Sequence, residues 1–338
     1  MKVLIIGGTR FLGYHIVRRL LEDSHEVTLF NRGLTPDDFG GRVKRIRGDR
    51  YDHKDFYRRF KGKRFDVVVD MIAFKVEDTR AAVRTFEGNI GHFIHISTGA
   101  VYIVTKDFPC PLREDDFDRE LGSPSKKNAG LWEYGFHKRK CEEVLQEAYG
   151  SSGFPVMSLR LPVVQGERDY TLRAYSYFIR LQDGNPLILP DSGLNVATHV
   201  YQGDIVHAVA LNLLNKRTFG QAYNLAQEEV LSLRGFVLKA AEVLGRTAEL
   251  VDIPSSFLDE ISLGTDFSPF SGRRPFILSV EKARKDLQMT STPLATWLRK
   301  TILWFNEEYQ GDPPENYQSR DREVKVARCF QEILKSAR

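Results

Sequence analysis

The sequence has few cysteines, no long apolar run and no large excess of one charge. Its three cysteines, Cys110, Cys141 and Cys329, are far apart and lack metal-ligand spacing, which favours a reduced, cytosolic compartment. The apolar start, MKVLIIGG, is too short to span a bilayer and lacks a signal-peptide pattern. The 49 basic and 45 acidic residues are interspersed, so the net charge of +4 gives little support for a polyanionic partner. We expect a cytoplasmic globular protein without a metal or a membrane contact.

What the sequence does contain is a regular alternation of short apolar runs with helical patterns. Runs such as FDVVVDMI are typical of buried parallel strands, because both faces of such strands are covered. The alternation predicts an α/β fold with a doubly wound parallel sheet of the Rossmann type. The predicted strands cover residues 3–6, 26–30, 43–47, 65–72, 92–97, 155–161 and 222–225.

The alternation becomes less regular after Gly166, which indicates a second domain. We predict a Rossmann domain over residues 1–165, with a return segment at about 196–226. A smaller α+β substrate-binding domain is predicted over 166–195 and 227–310. The polar segment 311–338 is predicted as a C-terminal extension, either mobile or packed as a helix.

A glycine-rich turn, GGTRFLG at residues 7–13, directly follows the first predicted strand and opens a helix. In this context Gly7 permits a tight turn, and Gly13 lets the helix pack against the strand. The free N–H groups and the positive end of the helix dipole suit a pyrophosphate. The turn therefore predicts dinucleotide binding, although a plain strand-to-helix turn is the alternative.

The end of the second predicted strand favours NADP over NAD. NAD-binding domains usually place a carboxylate here to bind the ribose 2′-hydroxyl, but this position holds Asn31, followed by Arg32. Arg10 lies in the adjacent turn, and two guanidinium groups can bind a 2′-phosphate. The alternative interpretation is that both arginines are solvated surface charges or stack on the adenine. Asp49, after the third strand, either accepts from the adenine amino group or lies in an exposed turn.

Two further patterns predict acid–base chemistry at the carboxyl ends of the strands. Tyr134 and Lys138 share one helical face, so the ammonium can favour the phenolate, and Lys138 can also hold the nicotinamide ribose. Ser97 and Thr98 follow the fifth predicted strand, where a hydroxyl can reach a substrate oxygen. Such a hydroxyl can also simply cap a turn. Residues just past strands should line one crevice, namely Gly7, Asn31, Ala73, Thr98 and Pro162.

In the order and spacing of its motifs, the chain resembles the extended short-chain dehydrogenase/reductase family, in its NAD-dependent epimerase/dehydratase branch. The resemblance covers about residues 1–310 and rests on GGTRFLG, STGAVY, YGFHK, LRLPVVQGERD, THVYQGDIVHAV and AYNLAQEEVLSLRGF. It implies Tyr134 as general acid/base, Lys138 as its partner, and Thr98 as the third member with Ser97 as fallback. It also implies a nucleotide sugar in the C-terminal domain and a homodimer formed through the helix that carries Tyr134. The cofactor contacts expected from the residues and the resemblance together are Gly7, Thr9, Arg10, Phe11, Leu12, Gly13, Asn31, Arg32, Asp49, Arg50, Ala73, Lys138 and Pro162.

The sequence departs from the family pattern at several positions. Arg10 replaces the middle glycine of the turn. Gly99 and Ala100 stand where dehydratases of the family often have an acidic pair, which argues against a 4,6-dehydratase. Val163 replaces an asparagine that often contacts the nucleotide diphosphate. The arginines that can hold a substrate diphosphate instead are Arg160, Arg168, Arg173 and Arg274.

Three functions remain open from the sequence. The leading hypothesis is a nucleotide-sugar epimerase that acts by transient hydride transfer through a retained NAD(P). The second is a reductase or dehydrogenase of a sugar-like carbonyl that exchanges NADP(H) with solvent. The third is RNA binding, because GGTRFLG is similar to the opening of chloroplast stem-loop-binding relatives, but the sequence has no basic stripe.

Overall fold

The structure is a computed structural model and describes residues 1–107, 109–125, 128–272 and 274–336. The described chain forms two compact units. The first unit consists of residues 1–164, 200–227 and 278–291, and the second of 165–199, 228–277 and the residues from 292 onward. This division differs from the predicted one in two ways. Residues 278–291 return to the first unit, and the C-terminal extension belongs to the second unit.

The strands and helices alternate through the first half of the chain. The strands are β1 Lys2–Ile6, β2 Glu26–Asn31, β3 Lys44–Arg47, β4 Phe65–Asp70, β5 Ile90–Thr98, β6 Val156–Leu161, β7 Val163–Gln165, β8 Leu187–Pro190, β9 Val196–Ala197, β10 His199–Tyr201, β11 Gln221–Asn224, β12 Leu231–Ser232 and β13 Leu250–Ile253. The α-helices are α1 Phe11–Glu22, α2 His53–Phe60, α3 Val76–Phe86, α4 Ala129–Ser152, α5 Arg173–Gln182, α6 Gln202–Leu211, α7 Leu233–Leu244, α8 Ser255–Glu260, α9 Glu281–Leu287, α10 Leu294–Glu307 and α11 Arg320–Ser336.

Seven strands of the first unit form one sheet in the order β11-β6-β5-β4-β1-β2-β3. All neighbouring pairs are parallel. The chain starts at a central strand, winds outward to β3 and then returns across β4 to β11, which is the doubly wound Rossmann arrangement. The predicted fold class is therefore confirmed.

Apolar cores cover both faces of this sheet, and β1 shows why its sequence is continuously apolar. Side chains alternate between the faces of a strand, so Val3 and Ile5 join one core while Leu4 and Ile6 join the other. The first core is shared with α1 and α6, and the second contains phenylalanines of α2 and α3. Because neither face is solvated, no polar alternation is possible in β1.

The second unit contains short strand pairs and helices. The strands β8 and β13 pair in parallel, and β9 and β12 pair antiparallel. The extension forms α11, whose Ala327 packs in a small core with Ile188 and Val251. The buried guanidinium of Arg180 also pairs with Glu323 of α11 at 2.8 Å. The extension is thus a packed helix from residue 320 to residue 336, and residues 337 and 338 lie outside the described residues.

No helix in the described part of the chain is long and apolar enough to cross a membrane. The described residues also contain no group of His, Cys, Asp and Glu side chains arranged to hold a metal ion. All three cysteines are free thiols, and Cys141 is buried whereas Cys110 and Cys329 are exposed.

Candidate active site

The carboxyl ends of the central strands lie along one edge of the sheet. Ile6 of β1 is level with Phe30 of β2 and Asp70 of β4. On the other side of β4, Thr98 is level with Leu161 at the end of β6. The structure therefore brings the predicted crevice residues to one edge, since each follows or ends a strand here: Gly7, Asn31, Ala73, Thr98 and Pro162.

The glycine-rich turn requires three residues without a Cβ atom. Gly7 and Gly8 adopt φ angles of +104° and +92°, which L side chains rarely occupy. A Cβ on Gly13 would lie 2.8 Å from the Cα of Gly8, so only glycine lets α1 start this close to the turn. The predicted roles of Gly7 and Gly13 match this geometry, and Gly8 is an additional requirement that we did not predict.

The beginning of α1 is open toward an anion. Arg10 occupies the N-cap position without a side-chain hydrogen bond to the helix, and the first turn contains no acidic residue. Phe11 and Leu12 are buried and anchor this turn, while Thr9 is half-buried beside it. The first N–H groups of a helix have no partner within the helix, so here they suit phosphate oxygens. The turn therefore fits the pyrophosphate of a dinucleotide.

Three arginines surround the turn that follows β2. The side-chain oxygen of Asn31 accepts from the N–H of Gly33 at 2.9 Å, so this residue closes the turn and supplies no charge. Arg32 is exposed, and the Nε of Arg10 donates to the hydroxyl of Thr35 at 3.1 Å. Arg47 is level with Asn31 on the neighbouring strand β3, and its Nε lies 3.1 Å from the ideal Cβ position on Gly33. Sequence reasoning missed Arg47, although the parallel register of β2 and β3 places it beside Asn31.

The two residues after Gly48 have different environments. Asp49 is exposed, and its carboxylate accepts from the N–H of Tyr51 at 2.9 Å. Arg50 is buried, pairs with Asp70 at 2.8 Å and donates to the carbonyl of Asp78. The expectation that Arg50 contacts the adenosine is not supported, because its guanidinium has no exposed surface to offer a ligand. An arginine next to an exposed aspartate gives no sequence signal of this inward orientation.

Helix α4 carries Tyr134 against the turn that follows β5. A Cβ on Gly135 would lie 2.3 Å from the carbonyl oxygen of Ala100, so the helix and the turn are in backbone contact. Tyr134 is 39% exposed at this contact, whereas Lys138, one helical turn later, is 2% exposed. The YGFHK motif thus contains a packing residue between its two candidate catalytic residues.

The ammonium of Lys138 is enclosed by protein acceptors. It donates to the carbonyls of Ala73 and Ile96 at 2.9 and 2.8 Å and lies 3.2 Å from the Nε2 of His95. Burial lowers the pKa of Lys138, and the nearby carboxylates of Asp70 and Glu142 partly oppose that shift. All three N–H groups donate within the protein. This arrangement favours a role for Lys138 through its positive charge over a hydrogen bond to the nicotinamide ribose.

The two candidate hydroxyls at the end of β5 point in different directions. Thr98 accepts from the N–H of Ala100 at 3.1 Å and lies 3.4 Å from the carbonyl of Leu161, which is a long contact for a hydroxyl donor. Ser97 is 4% exposed and donates to the buried carboxylate of Glu142. Ser97 is therefore engaged in the interior, and Thr98 is the better placed of the two for a substrate oxygen.

Phe74 is a further residue of the site that sequence reasoning missed. Its ring centroid lies 6.4 Å from that of Tyr134, and the ammonium of Lys138 lies 5.8 Å from the same centroid. Phe74 is 39% exposed and follows Ala73, whose carbonyl binds Lys138. The ring thus covers the buried ammonium on the side toward Tyr134.

The arginines expected to hold a substrate diphosphate lie in separate places. Arg160 is 4% exposed and forms hydrogen bonds to Glu142, Tyr102 and the carbonyl of Glu114, so the expectation that it binds phosphate is wrong. The other three belong to the second unit. Of these, Arg168 is half-buried, Arg173 donates to the hydroxyl of Thr171 at 3.0 Å, and Arg274 is exposed.

Comparison with known proteins agrees with the sheet and its glycine-rich turn. The profile of the NAD dependent epimerase/dehydratase family matches residues 3–226. A chloroplast stem-loop binding protein of 41 kDa from Arabidopsis thaliana is 26% identical over 257 residues, which are 72% of this chain and 63% of that protein. A dTDP-D-glucose 4,6-dehydratase from Mus musculus is 23% identical and covers 91% of this chain and 89% of its own.

Among solved structures, the chain is similar to UDP-glucuronic acid 4-epimerase from Bacillus cereus in complex with NAD. The TM-score is 0.71 with 20% sequence identity, over 92% of this chain and 99% of the epimerase. At this identity the likeness concerns the fold. The chain spans less than two thirds of the plant relative, so the activity of that whole protein does not transfer directly.

Proposed function

The chain belongs to the NAD-dependent epimerase/dehydratase family, and on that premise we propose that it is a nucleotide-sugar epimerase with Tyr134 as the acid/base. One observation carries the proposal: the contact between Gly135 and Ala100 brings Tyr134 to the turn that follows Thr98, one helical turn before the buried Lys138. A phenol, a hydroxyl and an ammonium in this order can move a proton to and from a sugar hydroxyl.

The proposed cofactor is held by the glycine-rich turn and the start of α1. The N–H groups of the first turn would bind the pyrophosphate, and Ala73 and Pro162 would border the nicotinamide. When bound, this ring takes up and returns a hydride, which is the chemistry that side chains cannot perform. Arg10, Arg32 and Arg47 surround the adenosine end, and their charge favours NADP over NAD.

The proton steps belong to the chain's own residues. Thr98 would orient the reacting hydroxyl of the sugar, exchanging its long contact with Leu161 for a bond to the substrate. Tyr134 would accept the hydroxyl proton at its phenol oxygen and later return it. The positive charge of Lys138 favours the phenolate during this exchange, since an opposite charge stabilises the ionised form. Gly99 and Ala100 supply no second acid or base, so these residues favour epimerisation over elimination of water.

The proposal is tested by incubating the purified protein with UDP- and dTDP-hexoses in deuterated water, without added cofactor. We expect a product with the mass of the substrate, a changed NMR coupling pattern at one ring carbon, and no carbon-bound deuterium. A product lighter by one water, with deuterium on carbon, would instead identify a dehydratase. Analysis of small molecules released from the protein by mass spectrometry identifies the retained cofactor and any bound sugar.

Tyr134→Phe supplies the matched control for this experiment. The variant loses the proton-transferring oxygen but keeps the ring next to Phe74. Turnover should fall by about a thousandfold, within the usual range for a general acid–base group, while cofactor affinity stays near that of the parent. Undiminished turnover would remove Tyr134 from the mechanism.

The arginines at the adenosine end favour a second candidate, a reductase that consumes NADPH. The same Tyr134, Lys138 and Thr98 would then protonate the oxygen of a reduced sugar-like carbonyl. This candidate predicts a protein purified without cofactor that oxidises one added NADPH per carbonyl reduced. A protein that turns over without net NADPH loss favours the epimerase.

The similarity to a stem-loop binding protein supports RNA binding as a third candidate. The net charge of only +4 and the interspersed acidic residues support RNA binding less well than an enzymatic function. A gel-shift titration with a stem-loop RNA at rising salt tests it directly. Tight binding with a steep salt dependence, together with no sugar turnover, would favour this candidate over both enzymes.

A further inference from the structure

The ammonium of Lys138 has one side-chain acceptor among its three partners. Two are carbonyls, of Ala73 in the loop after β4 and of Ile96 in β5, and the third is the Nε2 of His95 in β5 at 3.2 Å. An ammonium has three N–H donors, so His95 completes a full set of acceptors. The two carbonyls belong to the backbone, so His95 is the acceptor that a substitution can remove.

The spacing of β5 and α4 makes this contact part of a regular arrangement. His95 contacts Lys138, and two residues later Ser97 contacts Glu142, which lies four residues after Lys138. Two residues of a strand advance by about 6.6 Å and four residues of a helix by about 6.0 Å, so the two pairs stay in step. The strand and the helix are therefore held in register by polar pairs beneath the site.

The chemistry of the contact fixes the form of the histidine. Because Lys138 donates to Nε2, that nitrogen must carry a lone pair and the proton must lie on Nδ1. His95 is fully buried, and burial, followed by the charges of Lys138 and Arg50, lowers its pKa well below the usual value. Burial and these charges therefore favour the neutral imidazole, which can accept at Nε2.

We infer that His95 is a positioning residue, which fixes the charged ammonium of Lys138 one helical turn from Tyr134. The inference rests on the proposed function for its catalytic meaning, and on the geometry of the buried contact for its physical basis. His95 touches neither substrate nor cofactor in this proposal. It acts through Lys138 alone.

The other charged groups near Lys138 are already paired with different partners. Asp70 of β4 pairs with Arg50, Asp78 of α3 accepts from His53 and from the N–H groups of Phe74 and Lys75, and Glu142 of α4 pairs with Arg160. The thiol of Cys141, also on α4, is buried, and burial raises its pKa, so it is uncharged. A buried ammonium without a salt bridge of its own depends on its direct acceptors.

The test compares His95→Phe, which removes the acceptor, with His95→Gln, whose side-chain oxygen can replace Nε2. The pKa of Lys138 is measured by NMR on cofactor-free protein with isotope-labelled lysine side chains, and Lys138→Arg assigns the signal. In His95→Phe the pKa should fall by about one unit, a tenfold change in proton affinity, because the ammonium loses an acceptor. In His95→Gln it should stay close to that of the parent. Thermal unfolding checks that both variants are folded, and His95→Leu replaces the phenylalanine variant if that one is not.

Activity supplies a second readout that a merely structural role would not move. The charged form of Lys138 is lost as the pH rises through its pKa, so a lower pKa moves the alkaline limb of the kcat/KM profile to lower pH. We expect this shift in His95→Phe and none in His95→Gln. An unchanged Lys138 pKa in His95→Phe, or equal shifts in both variants, would overturn the inference. Since the NMR titration needs no turnover, an inactive parent protein would refute the proposed function and leave this test intact.

Discussion

The two ends of the candidate cofactor site are built in opposite ways. The proposed adenosine end consists of exposed arginines around the turn after β2, and such side chains act through charge in water. The catalytic end rests on buried polar groups: Lys138 with its acceptors, and Glu142 with Arg160. Charges in water are screened and weakly coupled, whereas buried charges are costly to leave unpaired. Substitutions at the exposed adenosine end should therefore alter coenzyme affinity only moderately. Substitutions at the buried catalytic end should disturb its geometry.

The largest expected effect is on the buried pair beneath the catalytic end. Arg160 binds both carboxylate oxygens of Glu142, at 3.2, 3.0 and 2.8 Å, and Ser97 donates to the same carboxylate. Glu142→Ala would leave the buried guanidinium without its counter-charge. The free energy of unfolding in urea should fall by about 3–5 kcal/mol.

Glu147→Ala is the control for this variant on the same helix. The side chain of Glu147 is exposed, so its removal should change stability by less than about 0.5 kcal/mol. If Glu142→Ala were as stable as Glu147→Ala, the buried pair would not be what fixes α4 to the sheet.

A smaller effect is expected where α4 meets the turn after β5. Gly135→Ala places a methyl group 2.3 Å from the carbonyl oxygen of Ala100, so the helix must move away. Such overpacking costs about 1–3 kcal/mol, and a shift of about 1 Å at Tyr134 should lower kcat/KM by about a hundredfold. Thermal unfolding and the epimerase assay measure the two effects separately.

Gly130→Ala, five residues earlier in the same helix, is the matched variant. Among the described residues, no atom outside the local helix backbone lies within 4 Å of a Cβ at this position, so stability should stay the same or rise slightly. Equal losses in both glycine variants would show that the contact with Ala100 does not position Tyr134.

Sequence patterns predicted what depends on local periodicity and missed what depends on packing. The continuous apolar runs predicted the strands, and GGTRFLG predicted the turn, because each of these signals lies within a few adjacent residues. Half of the residues of α2 are charged and only Phe56 and Phe60 are buried, so its apolar stripe is too short to be recognised in the sequence. The return of residues 278–291 to the first unit likewise has no local signal.

Within the site, the residues that were missed are those defined by a partner far along the chain. His95 reads as one more residue of an apolar strand, yet its partner is 43 residues away on α4. Phe74 and Arg47 become informative only when β4, α4, β2 and β3 are placed side by side. Conversely, Arg50 and Arg160 look like surface charges in the sequence, and the burial that removes them from the ligand is a tertiary property.

The smallest effects are expected at the exposed end, where they separate the two coenzymes. Arg32→Ala and Arg47→Ala should each weaken NADP binding by about tenfold, since each removes a charge-assisted hydrogen bond to the 2′-phosphate. Binding of NAD should hardly change, and the difference should shrink at high salt because these charges are exposed. Arg18→Ala, an exposed arginine of α1 that pairs with Glu22, controls for net charge and should affect neither coenzyme. Isothermal titration with both coenzymes measures this, and equal losses of NAD and NADP affinity would show that these arginines bind a part common to both, so that the charge at this end does not select the coenzyme.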